Sequence, residues 1–356
     1  MPSSLAGLRD RGTPAGTARP PATLRAVSAR PIPFAPMKAT AGDLPVGDGW
    51  AYEIKWDGVR AVGVVRDGQL RLQSTNGRDI TERYPELGAI APTLEGHDVV
   101  LDGEVVTFNE EGRPDFGLLQ PRMHQTSARI VAELAASQPV VWVIFDLLHL
   151  DGHDLVVGGR EGGQPLRYDQ RRQLLEQLVE PGPNWQVPTA QHEDAAGLLA
   201  AVRERGLEGL VAKRVESLYE PGKRTSAWRK VKVRRQQELV VGGWRRGEGS
   251  RAGTIGSLLV GYYDDGRLVY AGRVGSGLRQ SDLARYGARF AETERATPPF
   301  DPPPPREEAR DATWVEPTIV VEVAFGEWSR DGRLRHPSYL GERDDKDPTD
   351  VVREPS

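Results

Sequence analysis

Residues 52–60, YEIKWDGVR, place a lysine, Lys55, inside an apolar run that alternates like a β-strand. The alternation covers residues 50–65, and a second alternating run at residues 69–74 follows the turn signal at residues 66–68, Arg-Asp-Gly. Two such runs joined by an Asp-Gly turn predict an antiparallel sheet. The position of Lys55 needs an explanation, because a strand packed on a core disfavours an unpaired charge.

Length and composition limit the possible functions. The chain has 356 residues, a formal net charge of −4 and no cysteine. This length predicts two domains with a sizeable core. The lack of cysteine excludes disulfides, thiolate zinc sites and cysteine nucleophiles. The apolar run at residues 140–145 is too short to span a membrane, and the N-terminus lacks the apolar core of a signal peptide, so we expect a soluble cytoplasmic protein without membrane contact.

Composition divides the chain into three parts. Residues 1–30 are rich in Ala, Arg, Pro, Ser and Thr without apolar periodicity, which is typical of a disordered arm. Residues 31–233 predict an α+β domain with a largely antiparallel core. Residues 234–356 alternate short β-rich runs with glycine turns around one helical stretch, which predicts a C-terminal OB-fold β-barrel.

The same patterns predict individual elements. Residues 97–108, HDVVLDGEVVTF, contain another Asp-Gly pair and are interpreted as hairpin-like. Residues 140–152 are predicted to form a buried strand followed by a turn. The remaining predictions are strands at 206–215 and 227–233 and helices at 168–179 and 281–292.

Positive charge is concentrated at residues 223–235, KRTSAWRKVKVRR, where seven basic residues stand without an acidic one. In a chain with a negative net charge, such a concentration indicates a polyanionic partner. Arg234 and Arg235, at the end of this stretch, are predicted to contact the phosphates of such a partner.

Lys55 has two interpretations from the residues alone. It is either a solvated lysine on a half-exposed strand or a nucleophile whose pKa is lowered by burial or by neighbouring cations. Lys230 and Lys232 lie two positions apart in a predicted strand and therefore share one face with Trp228. The two lysines either form a basic exposed face or, as we favour, bind a phosphate and supply the cations that Lys55 needs.

Two glutamates and one aromatic residue extend this candidate site. Glu104 in LDGEVV and Glu208 in GLEGLVAK lie in apolar, strand-like contexts, where an unpaired charge is costly. Each alone can be a salt-bridge partner, but together with three lysines they suggest a site for a nucleotide with Mg²⁺ or Mn²⁺. Phe145 in VIFDLL is either a core aromatic or a stacking surface for a base.

Six short motifs occur in a particular order along the chain. They are KWDGVR (55–60), LDGEVV (101–106), VIFDLL (143–148), EGLVAKR (208–214), WRKVK (228–232) and RDDK (343–346). The set resembles the six nucleotidyltransferase motifs of ATP-dependent DNA ligases. Phrases such as GWAYEIKWDGVRA and RLRHPSYLGERDDKDP are similar to the ligase domain of bacterial DNA ligase D, which works with Ku in end joining.

The resemblance implies a role for each matching residue. Lys55 would attack the α-phosphate of ATP and form lysyl–AMP, while Lys230 and Lys232 hold that phosphate. Glu53 would contact adenine, Phe145 would stack on it, and Arg60 and Glu104 would contact the ribose. Lys213 is a further implied cofactor-binding residue. Glu104 and Glu208 would hold the divalent ion. Arg343, Asp345 and Lys346 would close over the pyrophosphate in the first step only.

The implied enzyme would pass AMP from Lys55 to the 5′-phosphate of a nick and then seal the nick with the 3′-hydroxyl. Its expected partners are nicked double-stranded DNA, Ku and a separate repair polymerase, and it would act as a monomer associated with the nucleoid. An RNA ligase or a capping-type nucleotidyltransferase, which share the lysine chemistry, is an alternative. A weakly catalytic DNA-end-binding module is another.

One position departs from the family pattern. Members of the family usually have Ser-Arg-Asn-Gly after the first hairpin, and that arginine contacts the 5′-phosphate of the nick. Here the sequence is STNGRD, with Thr75 in place of the arginine. Either DNA engagement at this point is impaired, or Arg71 or Arg78 makes the contact instead.

Overall fold

The computed structural model describes residues 34–159, 164–233, 235–247 and 252–354. The predicted arm at residues 1–30 and the predicted DNA contact Arg234 lie outside the described residues. Within the described ranges, no helix is long and apolar enough to cross a membrane.

Two sheets form the first part of the described chain. The four-stranded sheet has the strands β1 (Lys38–Ala41), β2 (Trp50–Lys55), β9 (Gly209–Arg214) and β10 (Arg224–Lys232), in the spatial order β1-β10-β9-β2. The six-stranded sheet has β3 (Val59–Arg66), β4 (Gln69–Ser74), β5 (Val99–Val106), β6 (Val141–Leu150), β7 (His153–Asp154) and β8 (Trp185–Gln186). Except for β1 with β10 and β6 with β8, neighbouring strands are antiparallel, as the sequence predicted.

The third sheet is antiparallel throughout. Its strands are β11 (Gln236–Arg246), β12 (Ile255–Asp264), β13 (Arg267–Val274), β14 (Glu294–Arg295), β15 (Ala312–Ala324) and β18 (Ser338–Glu342). A separate small hairpin joins β16 (Glu327–Trp328) to β17 (Leu334–Arg335). One core packs this sheet against Leu283, Tyr286 and Phe290, which lie on the helix predicted at 281–292. Short antiparallel strands around one helix are the arrangement predicted for the OB-type barrel.

Helices flank the sheets. They are α1 (Phe116–Met123), α2 (Ala128–Ser137), α3 (Tyr168–Leu178), α4 (Ala195–Glu204), α5 (Gln280–Glu292) and α6 (Arg306–Ala309), with 3-10 turns at Thr81–Arg83, Pro85–Leu94 and Pro348–Asp350. The helix predicted at 168–179 is α3, and the strand predicted within 140–152 is β6, which ends at the turn Asp151-Gly152, where both residues have positive φ. Sheets and helices together make the α+β class that the sequence predicted.

The alternating run at 50–65 is two strands in two different sheets. β2 pairs with β9, whereas β3 pairs with β4 and β5. Residues 56–58 carry the chain from one sheet to the other, so the Asp-Gly pair after Lys55 makes a crossing rather than a hairpin. Gly58 lies so close to β5 that a Cβ there would be 2.2 Å from the Val105 carbonyl oxygen. The crossing therefore requires glycine for close approach.

The hairpin-like interpretation of residues 97–108 is wrong. Asp102 and Gly103 lie in the middle of β5, which is continuous from Val99 to Val106. Gly103 serves packing instead of a turn, because a Cβ there would lie 2.5 Å from Nε1 of the buried Trp142. The Asp67-Gly68 pair, by contrast, has φ of 51° and 68° and joins β3 to β4 as predicted.

A core between the first two sheets sets the position of the site. Val62, Val100 and Leu148 of the six-stranded sheet pack with Tyr219 and Trp228 from the side of the four-stranded sheet. Phe145 is half-buried at the edge of this core. The ends of β2, β9 and β10 therefore open onto the same cleft as β3, β5 and β6.

Candidate active site

A cavity of about 410 Å³ lies in this cleft. Side chains from both sheets line it, and residues from the C-terminal part of the chain cover it. The lining residues predicted from the sequence are Glu53, Lys55, Arg60, Glu104, Phe145, Lys213, Lys230, Lys232, Arg343 and Lys346, together with Thr75. The structure thus brings together residues that are up to 293 positions apart, from Glu53 to Lys346.

Lys55 ends β2 at the wall of the cavity. Its Nζ donates to Glu208 Oε2 at 2.6 Å, and 24% of its side chain is exposed, against 3% for Glu208. β2 and β9 are paired with Lys55 opposite Gly209, which places Glu208 beside the amine. Lys55 is therefore a cavity lysine with a buried carboxylate partner, and the interpretation as a solvated surface lysine is wrong.

The ionisation of Lys55 differs from the expectation. Burial lowers its pKa, but attraction to the Glu208 carboxylate, with a further contribution from Glu104, outweighs burial and raises the pKa above its ordinary value. The nearby Lys232 lowers the pKa of Lys55, as expected, but its effect is smaller than that of Glu208. The Glu208 carboxylate therefore favours the charged form of the amine.

Lys230 and Lys232 point to one face of β10, as their spacing predicted. Trp228, Lys230 and Lys232 all line the cavity, and both lysine side chains are at most 15% exposed. Lys232 Nζ lies 3.7 Å from Glu208 Oε1 and 3.0 Å from Glu354 Oε2, while Lys230 contacts Glu354 Oε1. The pair is therefore an anion-binding element, with carboxylates as its present partners.

Aromatic rings and a buried ion pair form the back of the cavity. Lys213 Nζ lies 2.8 Å from Glu53 Oε2 and 4.4 Å and 4.3 Å from the ring centres of Phe145 and Trp228. Tyr168 donates its hydroxyl to Glu53 Oε1 at 2.5 Å. The Glu53 side chain is thus fixed by one hydrogen bond and one ion pair beside a flat aromatic surface, which suits a planar ring with polar edges.

Arg60 is held by residues that the sequence interpretation missed. Asp102 binds it through two hydrogen bonds of 2.9 Å and 2.6 Å, and the Tyr219 hydroxyl donates to Asp102 at 2.8 Å. The guanidinium carbon lies 5.2 Å from the Phe145 ring centre. Asp102 belongs to the quoted LDGEVV motif, so its apolar strand context was a usable signal, whereas Tyr219 gave none.

Two acidic side chains near Lys55 have raised pKa values. Burial raises the pKa of Glu104 to about 7, although Lys55 and Lys346 act in the opposite direction. Burial, together with Glu322 and Glu208, raises the pKa of Asp57 to about 8. Carboxyl groups whose pKa is raised in this way favour an additional cation at the site.

The segment 343–346 closes one side of the cavity. Arg343 donates to Asp345 at 2.9 Å and 3.0 Å, to Glu322 at 2.8 Å and to the Gly58 carbonyl oxygen at 3.1 Å. Lys346 lies 3.6 Å from Glu238. Asp345 is buried behind Arg343 and does not line the cavity, so it orients the guanidinium instead of facing a ligand.

The predicted DNA contacts lie at different places. Thr75 lines the cavity, and its buried hydroxyl has no hydrogen-bond partner among the described residues. Arg78 is 61% exposed in its side chain and lies 3.9 Å from Asp344, whereas Arg71 donates to Asp79 at 2.9 Å. Arg235 donates to the Gly326 carbonyl oxygen at 2.6 Å.

Comparison with known proteins decides the family. Residues 36–232 match the family described as ATP dependent DNA ligase domain, and residues 251–346 match the family described as ATP dependent DNA ligase C terminal region. The chain belongs to the ATP-dependent DNA ligases. The ligase fold, with an adenylation domain followed by an OB-fold region, is therefore the fold of this chain, as the motifs implied.

Individual ligases share both sequence and structure with this one. The multifunctional non-homologous end joining DNA repair protein LigD of Mycobacterium tuberculosis is 42% identical over 323 residues, covering 90% of this chain and 40% of that protein. LigD of Mycolicibacterium smegmatis is 40% identical over 329 residues, which cover 92% of this chain and 40% of that protein. The chain thus spans about two fifths of the length of these relatives. The solved structure of mycobacterial DNA ligase D complexed with ATP and MES is 39% identical, with a TM-score of 0.59 over 90% of this chain and 98% of that one.

Proposed function

We propose that this ligase seals 3′-hydroxyl/5′-phosphate nicks in double-stranded DNA through a lysyl–AMP intermediate, in double-strand-break repair by end joining. The observation that carries the proposal is the convergence of Lys55, Lys230 and Lys232 on one cavity with Glu208. The mycobacterial relatives are non-homologous end joining proteins by name, which supports the end-joining role. The proposed adenylation domain spans residues 31–233 and the proposed OB-fold domain residues 234–356.

Each step of the proposed reaction uses groups that are described above. The neutral Lys55 amine attacks the α-phosphorus of ATP, a P–N bond forms, and pyrophosphate leaves with the electrons of the P–O bond. Lys230 and Lys232 neutralise charge on the α-phosphate, while Arg343 and Lys346 face the departing pyrophosphate. An oxygen of the 5′-phosphate of the nick then attacks the phosphorus of AMP, and the P–N bond to Lys55 breaks. Finally, the 3′-hydroxyl oxygen attacks the 5′-phosphorus, a phosphodiester bond forms, and AMP leaves.

The residues fit a divalent ion that arrives with the nucleotide. Among the described residues, no cluster of three or more His, Cys, Asp or Glu can hold a metal ion alone. Mg²⁺ commonly uses one or two carboxylates together with substrate phosphates, and Glu104 and Glu208 both interact with Lys55. When bound, Mg²⁺ or Mn²⁺ would supply positive charge for the phosphates, and Glu208 would be free to release Lys55.

We assign adenine and ribose recognition to the same cavity. The Phe145 ring would stack on adenine, and Glu53 would accept a hydrogen bond from its amino group, with Lys213 and Tyr168 keeping the carboxylate in place. Arg60 and Glu104 would contact the ribose. Asp102 and Tyr219 would position Arg60 without touching the nucleotide.

A labelling experiment tests the proposal. The protein is incubated with α-labelled ATP or GTP and Mg²⁺ or Mn²⁺, and covalent label is measured, followed by sealing of a nicked duplex and of a nicked RNA duplex. ATP-specific labelling with DNA sealing is expected. Preference for GTP or for RNA would favour a capping-type enzyme or an RNA ligase, and absence of labelling would favour a DNA-end-binding module.

The proposed partners follow from end joining. Ku and a separate repair polymerase would bring DNA ends to this ligase, which would act as a monomer. Stimulation of sealing by purified Ku on a blunt-ended duplex tests this part, and sealing that is unaffected by Ku would contradict it.

A further inference from the structure

The last described residues run across the barrel sheet and end inside the cavity. Tyr263 in β12 donates its N–H to the Val351 carbonyl oxygen at 2.7 Å. Gln237 in β11 binds the segment at two points, because its Nε2 donates to the Val352 carbonyl oxygen at 3.0 Å and its Oε1 accepts the N–H of Glu354 at 3.0 Å. Gln237 is 1% exposed, so the segment is docked on a buried, fixed amide group.

This docking places one carboxylate on the lysine pair. Glu354 Oε2 lies 3.0 Å from Lys232 Nζ, and Glu354 Oε1 contacts Lys230 Nζ. The three side chains are 14%, 12% and 15% exposed, respectively. Two poorly exposed ammonium groups need an anion nearby. The chain itself supplies one, the Glu354 carboxylate, which lies 122 positions after Lys232 in the sequence.

The same two amines are assigned to the α-phosphate of ATP in the proposed function. A carboxylate and a phosphate oxygen cannot accept the same N–H groups at once, and two anions in contact at a poorly hydrated site repel each other. Glu354 and the α-phosphate are therefore alternative occupants of one anion site.

We infer that Glu354 is an internal counter-ion which ATP must displace from Lys230 and Lys232, so that the C-terminal segment opposes nucleotide binding. The inference rests on the proposed function, because it takes the α-phosphate as the second occupant. In the nucleotide-free state, Glu354 keeps the two lysines in place. On ATP binding, the segment leaves the lysine pair.

The test measures nucleotide affinity without chemistry. In the Lys55→Ala background, the dissociation constant of ATP is measured by calorimetry with and without Glu354→Gln, which keeps the size of the side chain but removes its charge. The variant is expected to bind ATP about tenfold more tightly than the parent. Its affinity for inorganic tripolyphosphate is expected to rise by the same factor. Adenosine, which has no phosphate, is expected to bind both proteins equally.

The matched control is Glu204→Gln, an equal change of charge at an exposed position in α4. Its affinities for ATP and tripolyphosphate should equal those of the parent. Equal or weaker ATP binding by Glu354→Gln would overturn the inference, as would an equal gain in the control or a gain with adenosine. Failure of the proposed function would appear separately, as absence of covalent label in the protein that retains Lys55.

Discussion

Lys55 contacts Glu208 at the cavity wall through a short hydrogen bond. Lys55→Ala removes the proposed nucleophile, and we expect the covalent AMP adduct to fall below detection, because no nitrogen would remain at that point of the cavity. The measurement is acid-precipitable label after incubation with α-labelled ATP.

Lys223→Ala serves as the control, since that lysine is 68% exposed and pairs with Glu220 outside the cavity. It should label like the parent. An acid-labile adduct that persists in Lys55→Ala would show that a different residue is the nucleophile.

Thr75 is the second residue with a sharp expectation. An arginine at this position would make a charge-assisted bond to a terminal phosphate, and such bonds contribute roughly 1.5–3 kcal/mol, or about one to two decades in affinity. We expect Thr75→Arg to raise single-turnover sealing of a pre-adenylated nick while leaving lysyl–AMP formation unchanged.

The competing hypothesis is that Arg71 or Arg78 already reaches the nick phosphate. Arg78 is the more exposed of the two and lies near Asp344. If Arg78→Ala abolishes sealing and Thr75→Arg has no effect, Arg78 makes the contact with the nick phosphate and the expected gain from Thr75→Arg is refuted.

The positions of single site residues were predictable where those residues belong to a short sequence motif. Strand alternation placed Lys55 in a strand, and spacing placed Lys230 and Lys232 on one face, because both are local properties of the chain. The roles of the three lysines came from the resemblance to ligases and stay predictions. Glu354 and Gln237 were not found, since a carboxylate in a polar C-terminal stretch has no local signal of what it will contact. The raised pKa of Lys55 was also missed, because it depends on the distance to Glu208 and not on the number of nearby cations.

Among the elements, the closing segment 343–346 has the most direct link to one reaction step. Asp345 orients Arg343, and Lys346 faces the cavity. Asp345→Ala and Lys346→Ala are each expected to slow enzyme adenylation about ten- to hundredfold, as expected for loss of a charge-assisted bond, but to affect sealing of a pre-adenylated nick much less.

The two steps are measured separately, with adenylated DNA supplied for the second. Asp331→Ala, at an exposed turn beside β17, is the control and should leave both steps unchanged. Equal losses in both steps would contradict a role confined to the first.

Strand β5 gives a stability prediction. Gly103→Ala would place a Cβ 2.5 Å from Trp142 Nε1 and 2.6 Å from the Val143 carbonyl oxygen, so Trp142 and β6 must shift. We expect the free energy of unfolding to fall by about 1–3 kcal/mol, as is usual for overpacking. Gly88→Ala is the matched control, because nothing lies within 4 Å of its added Cβ. Equal urea midpoints for the two variants would contradict this explanation of Gly103.

Elements were predictable from periodicity, but their pairing was not. The sequence correctly located β6, β9, β10, α3 and α5, whose patterns are local. It joined β2 and β3 into one run, because the crossing at residues 56–58 does not interrupt the alternation. The pair Asp102-Gly103 was interpreted as a turn, because the contact that explains Gly103 comes from Trp142, which lies 39 positions away in the sequence.

At the scale of the whole molecule, DNA binding depends on the distribution of charge. The basic stretch 223–235 divides in the structure, because Lys230 and Lys232 face the cavity whereas Arg235 lies near the surface loop at Gly326. If Arg234 and Arg235 contact DNA, replacing both with alanine should make nick binding less sensitive to salt. The slope of the logarithm of the binding constant against the logarithm of the salt concentration should become less negative by about 0.9 for each lost phosphate contact.

Adenylation by the double variant should be unchanged, which separates DNA binding from nucleotide chemistry. Binding is measured by anisotropy of a labelled nicked duplex over a range of salt concentrations. An unchanged slope would place these two arginines away from the phosphate backbone.

The ion pair between Lys38 and Asp350 joins the start and the end of the described chain at the rim of the cavity. Because the chain contains no cysteine, cysteines introduced at these two positions would be the sole sites for thiol-reactive dyes. Two pyrene groups attached there would form an excimer while the C-terminal segment is docked, and its emission would vanish as the segment departs. The molecule therefore offers a direct optical record of how long its cavity stays open in each catalytic cycle.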